Sequence, residues 1–396
     1  MLTLLMIAGA TTAPICLSQV AQKVPQIISA DSEPKQSDVI VSFEWVGEQS
    51  AYPTPGPSDD VAPVDPAAAH GVPAYSVRFG DTFPMTWADD DEIYASAGDP
   101  NWGAKWDGLD VERFSGMPPH YTITRVNAMP EYHGSGGGGP KPTGMISVNG
   151  VLYLAVQNLL GKKPAAYGTR SQHGDDATII SSRDHGKTWT PARASIKAPM
   201  FTGHIFGGPA FVNMGRDNAG APDKHVYAIS TDQWDNGSNL RVGRVRADRI
   251  EDAAAWQWIS GLKNTKHPRW SSEMDRAIPV LTDDRRIGLP DMVYIAAIKR
   301  YVLLTWRLYK DFSNSDGTEL MIYDAPHPWG PFTLVHQEQM WEGKEMNPYC
   351  PRLPLKWLKV NGDEIDGWIQ FSGSWKKTSV EYRSHVREFR MKVAMR

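Results

Sequence analysis

Cysteine is nearly missing from this 396-residue chain, which has 2, Cys16 and Cys350. Cys16 falls in a segment expected to be removed, so Cys350 stands alone and no disulfide framework holds the fold. A core of this size does not need one. An excess of charge is also lacking: 41 Lys and Arg stand against 45 Asp and Glu, a net of -4. That balance gives no basic surface for neutralising phosphates, so a nucleic-acid partner is not expected. No apolar run is long enough to span a bilayer, which argues against membrane insertion. Long amphipathic helices are scarce. The best candidate, residues 248–259 around Ala253, Ala254, Ala255 and Trp256, is short, and without helices there is no Rossmann or TIM alternation. Metal-ligand spacings are absent: there is no His-x-x-x-His or Cys-x-x-Cys. Asp89-Asp90-Asp91 has none of the glycine punctuation of a calcium loop. The glycines at 136–139 lack the Lys-Ser/Thr and the strand-to-helix setting of a phosphate-binding loop. The expectation is therefore no cofactor and no metal site, with no motif behind a structural Ca2+.

What is present is tryptophan, 15 of them, a side chain that suits both sheet cores and stacking on sugar rings. The short apolar run of residues 1–10 is followed by small residues, which reads as a secretory signal ending near residue 21 and places the mature protein outside the cell or in the periplasm. Residues 22–73 read as a Pro-rich arm or linker. One β-like run interrupts them, Val39-Ile40-Val41-Ser42-Phe43-Glu44-Trp45, either an outer strand of the main fold or an arm facing a substrate or partner.

From residue 74 to the end, short runs of Val, Ile, Tyr and Trp alternate with Gly, Pro, Asn and Asp clusters, the pattern of many short strands. Asn149-Gly150 between two apolar runs is a strong hairpin signal, since both central residues of a type I′ turn need positive φ. Further hairpins are expected around Lys299-Arg300 and near residues 368–371. A run of hairpins this long must close on itself to manage its sheet edges, and a β-propeller does so with short strands. Ser182-Arg183-Asp184-His185-Gly186-Lys187-Thr188-Trp189 matches the Asp box, Ser-x-Asp-x-Gly-x-Thr-Trp, a structural hairpin staple common in sialidase-like propellers. No sialidase arginine triad accompanies it.

Residues 80–94, from Gly80-Asp81-Thr82-Phe83 through Asp89-Asp90-Asp91-Glu92-Ile93-Tyr94, with Gly98-Asp99 behind them, resemble the opening blade of the domain-of-unknown-function 4185 family. Residues 208–227, 240–250 and 322–331 are similar to later parts of the same group, so the resemblance spans most of residues 75–375. It implies an all-β propeller, most simply five-bladed, whose funnel holds the active site. Some members of the wider family are endo-D-arabinanases of glycoside hydrolase family 183, so the implied partner is a polysaccharide or oligosaccharide. The protein itself is expected to be a monomer.

Glycosidases place two carboxyl groups across the scissile bond. The first blade supplies candidates in Asp81 and Asp99, at the ends of its apolar run, and in Asp90, flanked by Trp87 and Tyr94. His204, in the Gly-flanked stretch Thr202-Gly203-His204-Ile205-Phe206-Gly207-Gly208, is a loop histidine suited to exposure of a functional group. Trp87, Lys141, Tyr227, Arg244 and His120 are candidates for holding sugar, and His133 is a further histidine of interest. Three functions fit: a glycoside hydrolase using a carboxylate pair, a polysaccharide lyase using His, Tyr and Arg on a uronate glycan, or a propeller that binds sugar without cutting it.

Overall fold

The computed structural model describes residues 26–28, 34–47, 79–101, 108–132, 139–159, 174–190, 198–264, 267–309, 317–374 and 382–394. Among these, helix is confined to three-residue 3-10 turns and one four-residue α-helix, Gly343–Met346. The signal-peptide segment and residues 48–78 lie outside the described residues.

Two short strands come first, β1 (Gln26–Ile28) and β2 (Ile40–Trp45). The strands from Phe79 onward fall into five antiparallel groups. The first holds β3 (Phe79–Asp81), β4 (Met85–Trp87), β5 (Ile93–Asn101), β6 (Asp110–Met117) and β7 (His120–Asn127). The second is β8 (Lys141–Val148), β9 (Val151–Gln157) and β10 (Thr178–Ser182). The third is β11 (Ala210–Asn213), β12 (His225–Thr231) and β13 (Gly237–Arg246), flanked by β14 (Gln257–Asn264), β15 (His267–Ser271) and β16 (Leu281–Ile287). The fourth is β17 (Asp291–Ile295), β18 (Arg300–Leu308), β19 (Thr318–Ala325) and β20 (Thr333–Gln339). The last is β21 (Tyr349–Arg352), β22 (Lys359–Asn361), β23 (Glu364–Ser372) and β24 (Ser384–Val393).

The leading strands of successive groups meet. β4 packs on β8, β8 on β11, β11 pairs in parallel with β17, and β17 meets β21. Arg352 of β21 returns to the start, donating from Nε to the Thr82 carbonyl at 2.9 Å. This is an all-β propeller, in which hairpin-connected sheets stand around a common axis and their edges are protected by closure.

β2 pairs antiparallel with β24, Trp45 opposite Phe389, and so is an outer strand of the last group rather than a free arm. Phe43 stacks on Phe389 with ring centroids 5.4 Å apart, and Trp45 Nε1 donates to Glu338 at 2.6 Å. The propeller therefore draws a strand from within the segment read as arm or linker.

Asn149 and Gly150 have φ of 53° and 73°, and Val148 faces Val151 across the turn. Tyr294 faces Tyr301 in the hairpin around Lys299, itself at φ 53°. Within residues 182–189, Asp184 accepts from Thr188 N and Oγ1 and from Ser182 Oγ. A Cβ on Gly186 would lie 2.7 Å from Val111 Cγ1, so glycine is needed for space as well as for its φ of 87°. The helix expected over residues 248–259 does not form. Asp252 caps only the 3-10 turn Ala253–Ala255 through Ala254 N, and the chain then enters β14. Trp256 and Trp258 are instead drawn into the core against Phe201 and Phe206.

Candidate active site

Asp81 closes β3 opposite Gly98 of β5, and Asp99 is the next residue along β5. Lys141 opens β8 and Tyr349 opens β21. The ends of strands from three groups thus bring these side chains to one end of the propeller axis. All are buried: Asp81 is 6% exposed, Asp99 3% and Lys141 1%. The Lys141 ammonium ion-pairs with the Asp99 carboxylate. Tyr349 donates its hydroxyl to Asp81 Oδ2 at 3.1 Å, and the Tyr382 phenol lies within reach of the Asp81 charge. Burial, and then the charge on Asp81, pushes both phenols well above the ordinary tyrosine value, so they stay protonated donors. Trp234, Trp306 and Tyr349 form an aromatic wall beside them, with Trp306 and Tyr349 centroids 5.6 Å apart.

The backbone around this cluster is strained. Thr82, Phe83, Asp99 and Cys350 all have positive φ, from 37° to 65°, without being glycine. Such conformations persist where the surroundings impose them and concentrate at functional sites. Here Thr82 N donates to Ser372 Oγ and Thr82 O accepts from Arg352, which fixes the chain directly after Asp81. Arg352 also donates to the Pro290 carbonyl, and it is buried on the axis. A Cβ on Gly98 would lie 2.5 Å from Asp81 Oδ1, so the carboxylate occupies the space that glycine leaves.

Of the residues singled out from sequence, the structure joins Asp81, Asp99 and Lys141. Asp90 does not belong with them. It lies exposed in the β4–β5 turn, accepting from Tyr94 OH at 2.8 Å. Asp99 stands near the far end of β5, about 20 Å away at about 3.3 Å per residue. Trp87 is at the Asp90 end too, donating to Asp91 and lining a small axial cavity with Asn213 and Leu353. His120 is exposed at the start of β7, opposite Met117; because Ala97 pairs with Asp110 and Ile93 with Phe114, the β6–β7 turn also lies at the Asp90 end. Tyr227 and Arg244 face each other across β12 and β13. Tyr227 donates to Asp223, and Arg244 stacks on Trp270 at 4.0 Å and bonds Gln257, so both are occupied within the third group, away from Asp81. His204 is exposed on the loop before β11, where the neighbouring Gly203 exchanges hydrogen bonds with Asp176. His133 lies outside the described residues.

The sequence reading missed Tyr349, Tyr382 and Arg352, whose place beside Asp81 is made only by closure of the ring. It also missed a three-residue cluster that can offer metal ligands. One ligand atom each from Asp89, Asp90 and His185 lies within 4.8 Å of the others, and His185 already bonds Asp89 at 2.8 Å.

A sequence profile described as Domain of unknown function (DUF4185) matches residues 65–349. No curated protein matches in sequence. Among solved structures, an α-L-arabinofuranosidase from Podospora anserina is 12% identical with a TM-score of 0.48, over 91% of this chain and 99% of that one. A Cellvibrio cellulosa α-L-arabinanase is 10% identical with a TM-score of 0.46, over 81% of this chain and 96% of that one. A Bacillus subtilis levansucrase is 9% identical with a TM-score of 0.45, over 80% and 86%.

Proposed function

The chain belongs to the DUF4185 family, and we propose that it is a glycoside hydrolase that cuts a polysaccharide at the axial carboxylates Asp81 and Asp99. One observation carries the proposal: two buried carboxylates sit in one cluster with unlike partners. Asp99 faces the ammonium of Lys141, while Asp81 accepts from the hydroxyl of Tyr349, with the Tyr382 phenol nearby. Unlike environments are what divide two carboxyl groups into an acid and a base. In this reading Asp81, buried beside neutral phenols whereas Asp99 faces an ammonium, is the carboxyl that more readily takes up a proton, and it gives that proton to the glycosidic oxygen as the bond to the anomeric carbon breaks. Asp99, opposite Lys141, acts at that carbon as base or nucleophile, and water supplies the hydroxyl group that replaces the leaving sugar.

The lyase reading has less support. It needs a cation for the uronate carboxylate, yet Lys141 is engaged by Asp99 and Arg352 donates to two backbone carbonyls. Export stays part of the proposal and rests on residues 1–21; the N-terminal sequence of the mature protein tests it. No helix among the described residues is long and apolar enough to cross a membrane.

The test of reaction class is product analysis. Protein lacking residues 1–21 is incubated with arabinans, xylans, galactans and uronate-containing glycans. Reducing ends without ultraviolet absorbance from an unsaturated uronate indicate hydrolysis. Reducing ends with that absorbance would replace this reading with the lyase.

A further inference from the structure

Among the described residues, the amides of Gln157 and Asn158 have no hydrogen-bond partner at either their oxygen or their nitrogen, although the residues are only 1% and 3% exposed. An amide buried without partners is destabilising, and native structures hold few of them. Gln157 is placed at the axial site by its register. It stands directly opposite Lys141 in the β8–β9 pair. Directly opposed residues share a face with Cβ atoms about 5 Å apart, so Gln157 flanks the side chain that bonds Asp99. Its Oε1 reaches toward the start of the next group, within 3.0 Å of where a Cβ on Gly208 would be. Asn158 follows in a left-handed conformation at φ 60°, its backbone N–H donating to Asp175.

We propose that Gln157, with Asn158 beside it, is a hydroxyl-reading subsite that binds a sugar ring next to the Asp81–Asp99 pair. A primary amide offers two donors and an acceptor, which matches hydroxyl groups that both accept and donate. The hydroxyls of a bound sugar would supply the missing partners. This is the pattern expected where a functional site breaks a local rule of stability. The proposal rests on the carbohydrate reading of the same site, and Gln157 acts as a recognition residue rather than on the reacting atoms.

The test uses two variants, Gln157→Met and Gln157→Glu, made in the protein lacking residues 1–21. The probes are linear arabino-, xylo- and galacto-tetraoses, with thermal melting and titration calorimetry as readouts and wild-type product release followed in parallel. Gln157→Met is expected to melt at or above the wild-type temperature without sugar and to lose at least tenfold in affinity for the oligosaccharide that wild type binds. Gln157→Glu, which keeps the acceptor but loses the donors, should fall between the two. A lower melting temperature for Gln157→Met with unchanged affinity would overturn the subsite and assign the amide a structural role through water. Wild type that binds a probe without releasing product contradicts the hydrolase reading and leaves the subsite standing. If no probe binds wild type, the melting of Gln157→Met decides alone: a rise supports a ligand-satisfied amide, and a fall overturns it.

Discussion

Tyr349 donates its hydroxyl to Asp81 at 3.1 Å across 268 residues of sequence, joining the last strand group to the first at the buried end of the axis. That bond orients the carboxylate proposed as the acid. Tyr349→Phe leaves the ring in the aromatic wall and removes only the donor. The expected result is a loss of about 1–3 kcal/mol in urea unfolding, the cost of leaving a buried acceptor one donor short. The turnover number should fall with little change in KM.

The Lys141–Asp99 pair is buried on both sides, with side-chain exposures of 2% and 4%. Removing one member of such a pair strands the other charge. Lys141→Met alone is therefore expected to cost about 3–5 kcal/mol, while Lys141→Met with Asp99→Leu should recover most of that. A double-mutant cycle by denaturant unfolding checks this. Activity should be lost in both, because Asp99 is gone from one and misplaced in the other.

Gly98→Ala tests the close approach. The new methyl would sit 2.5 Å from Asp81 Oδ1, and the carboxylate must move. Overpacking of this kind costs about 1–3 kcal/mol. The expected signature is a stability loss in that range together with a fall in activity of at least about tenfold, since displacement of a catalytic group by about 1 Å is that costly. Activity within twofold of wild type would show that Asp81 can shift without consequence.

The docking of β2 should depend on acid. Desolvation pushes the Glu338 carboxyl up, but hydrogen bonds from His336 and Trp45 and the charges of His336 and Arg387 bring it below its ordinary value of 4.5. A carboxyl lowered on folding stabilises fully above its unfolded value, and that contribution disappears as pH falls through the lower folded value. Protection of residues 40–45 against hydrogen exchange is therefore expected to weaken from about pH 4.5 downward. In Glu338→Gln the protection should be lower near neutrality and should change less over the same interval.

Much of the fold was legible because its signals are local. Asn149-Gly150 writes its turn in two residues, and strand alternation with turn clusters gives the hairpins. Asp81 and Asp99 were legible as carboxylates at the ends of an apolar run. Asp90 misled because flanking aromatics in sequence suggested burial, whereas Trp87 and Tyr94 flank a turn and hold it through hydrogen bonds at the surface. Tyr227 and Arg244 misled in another way. They are partners of each other's strands, and their polar ends are satisfied by Asp223 and Gln257. Tyr349, Tyr382 and Arg352 left no local sign. Their role depends on ring closure, which brings β21 and the start of β24 beside β3, and no periodicity in sequence encodes it. The missing partners of Gln157 were equally invisible, since a hydrogen bond that is not made can be seen only once the neighbours are in place.

The most direct test of the account compares hydrolysis rates of wild type with those of Asp81→Asn, Asp99→Asn and, as a control, Asp90→Asn on whichever polysaccharide wild type cleaves. Each of the first two changes is expected to lower the rate by about 10²–10⁴-fold, the range for loss of a general acid or base. Asp90→Asn should stay within about twofold of wild type, as surface changes commonly leave the fold intact. Full activity in folded Asp81→Asn or Asp99→Asn, or a loss confined to Asp90→Asn, would contradict the placement of the active site at the axial carboxylates.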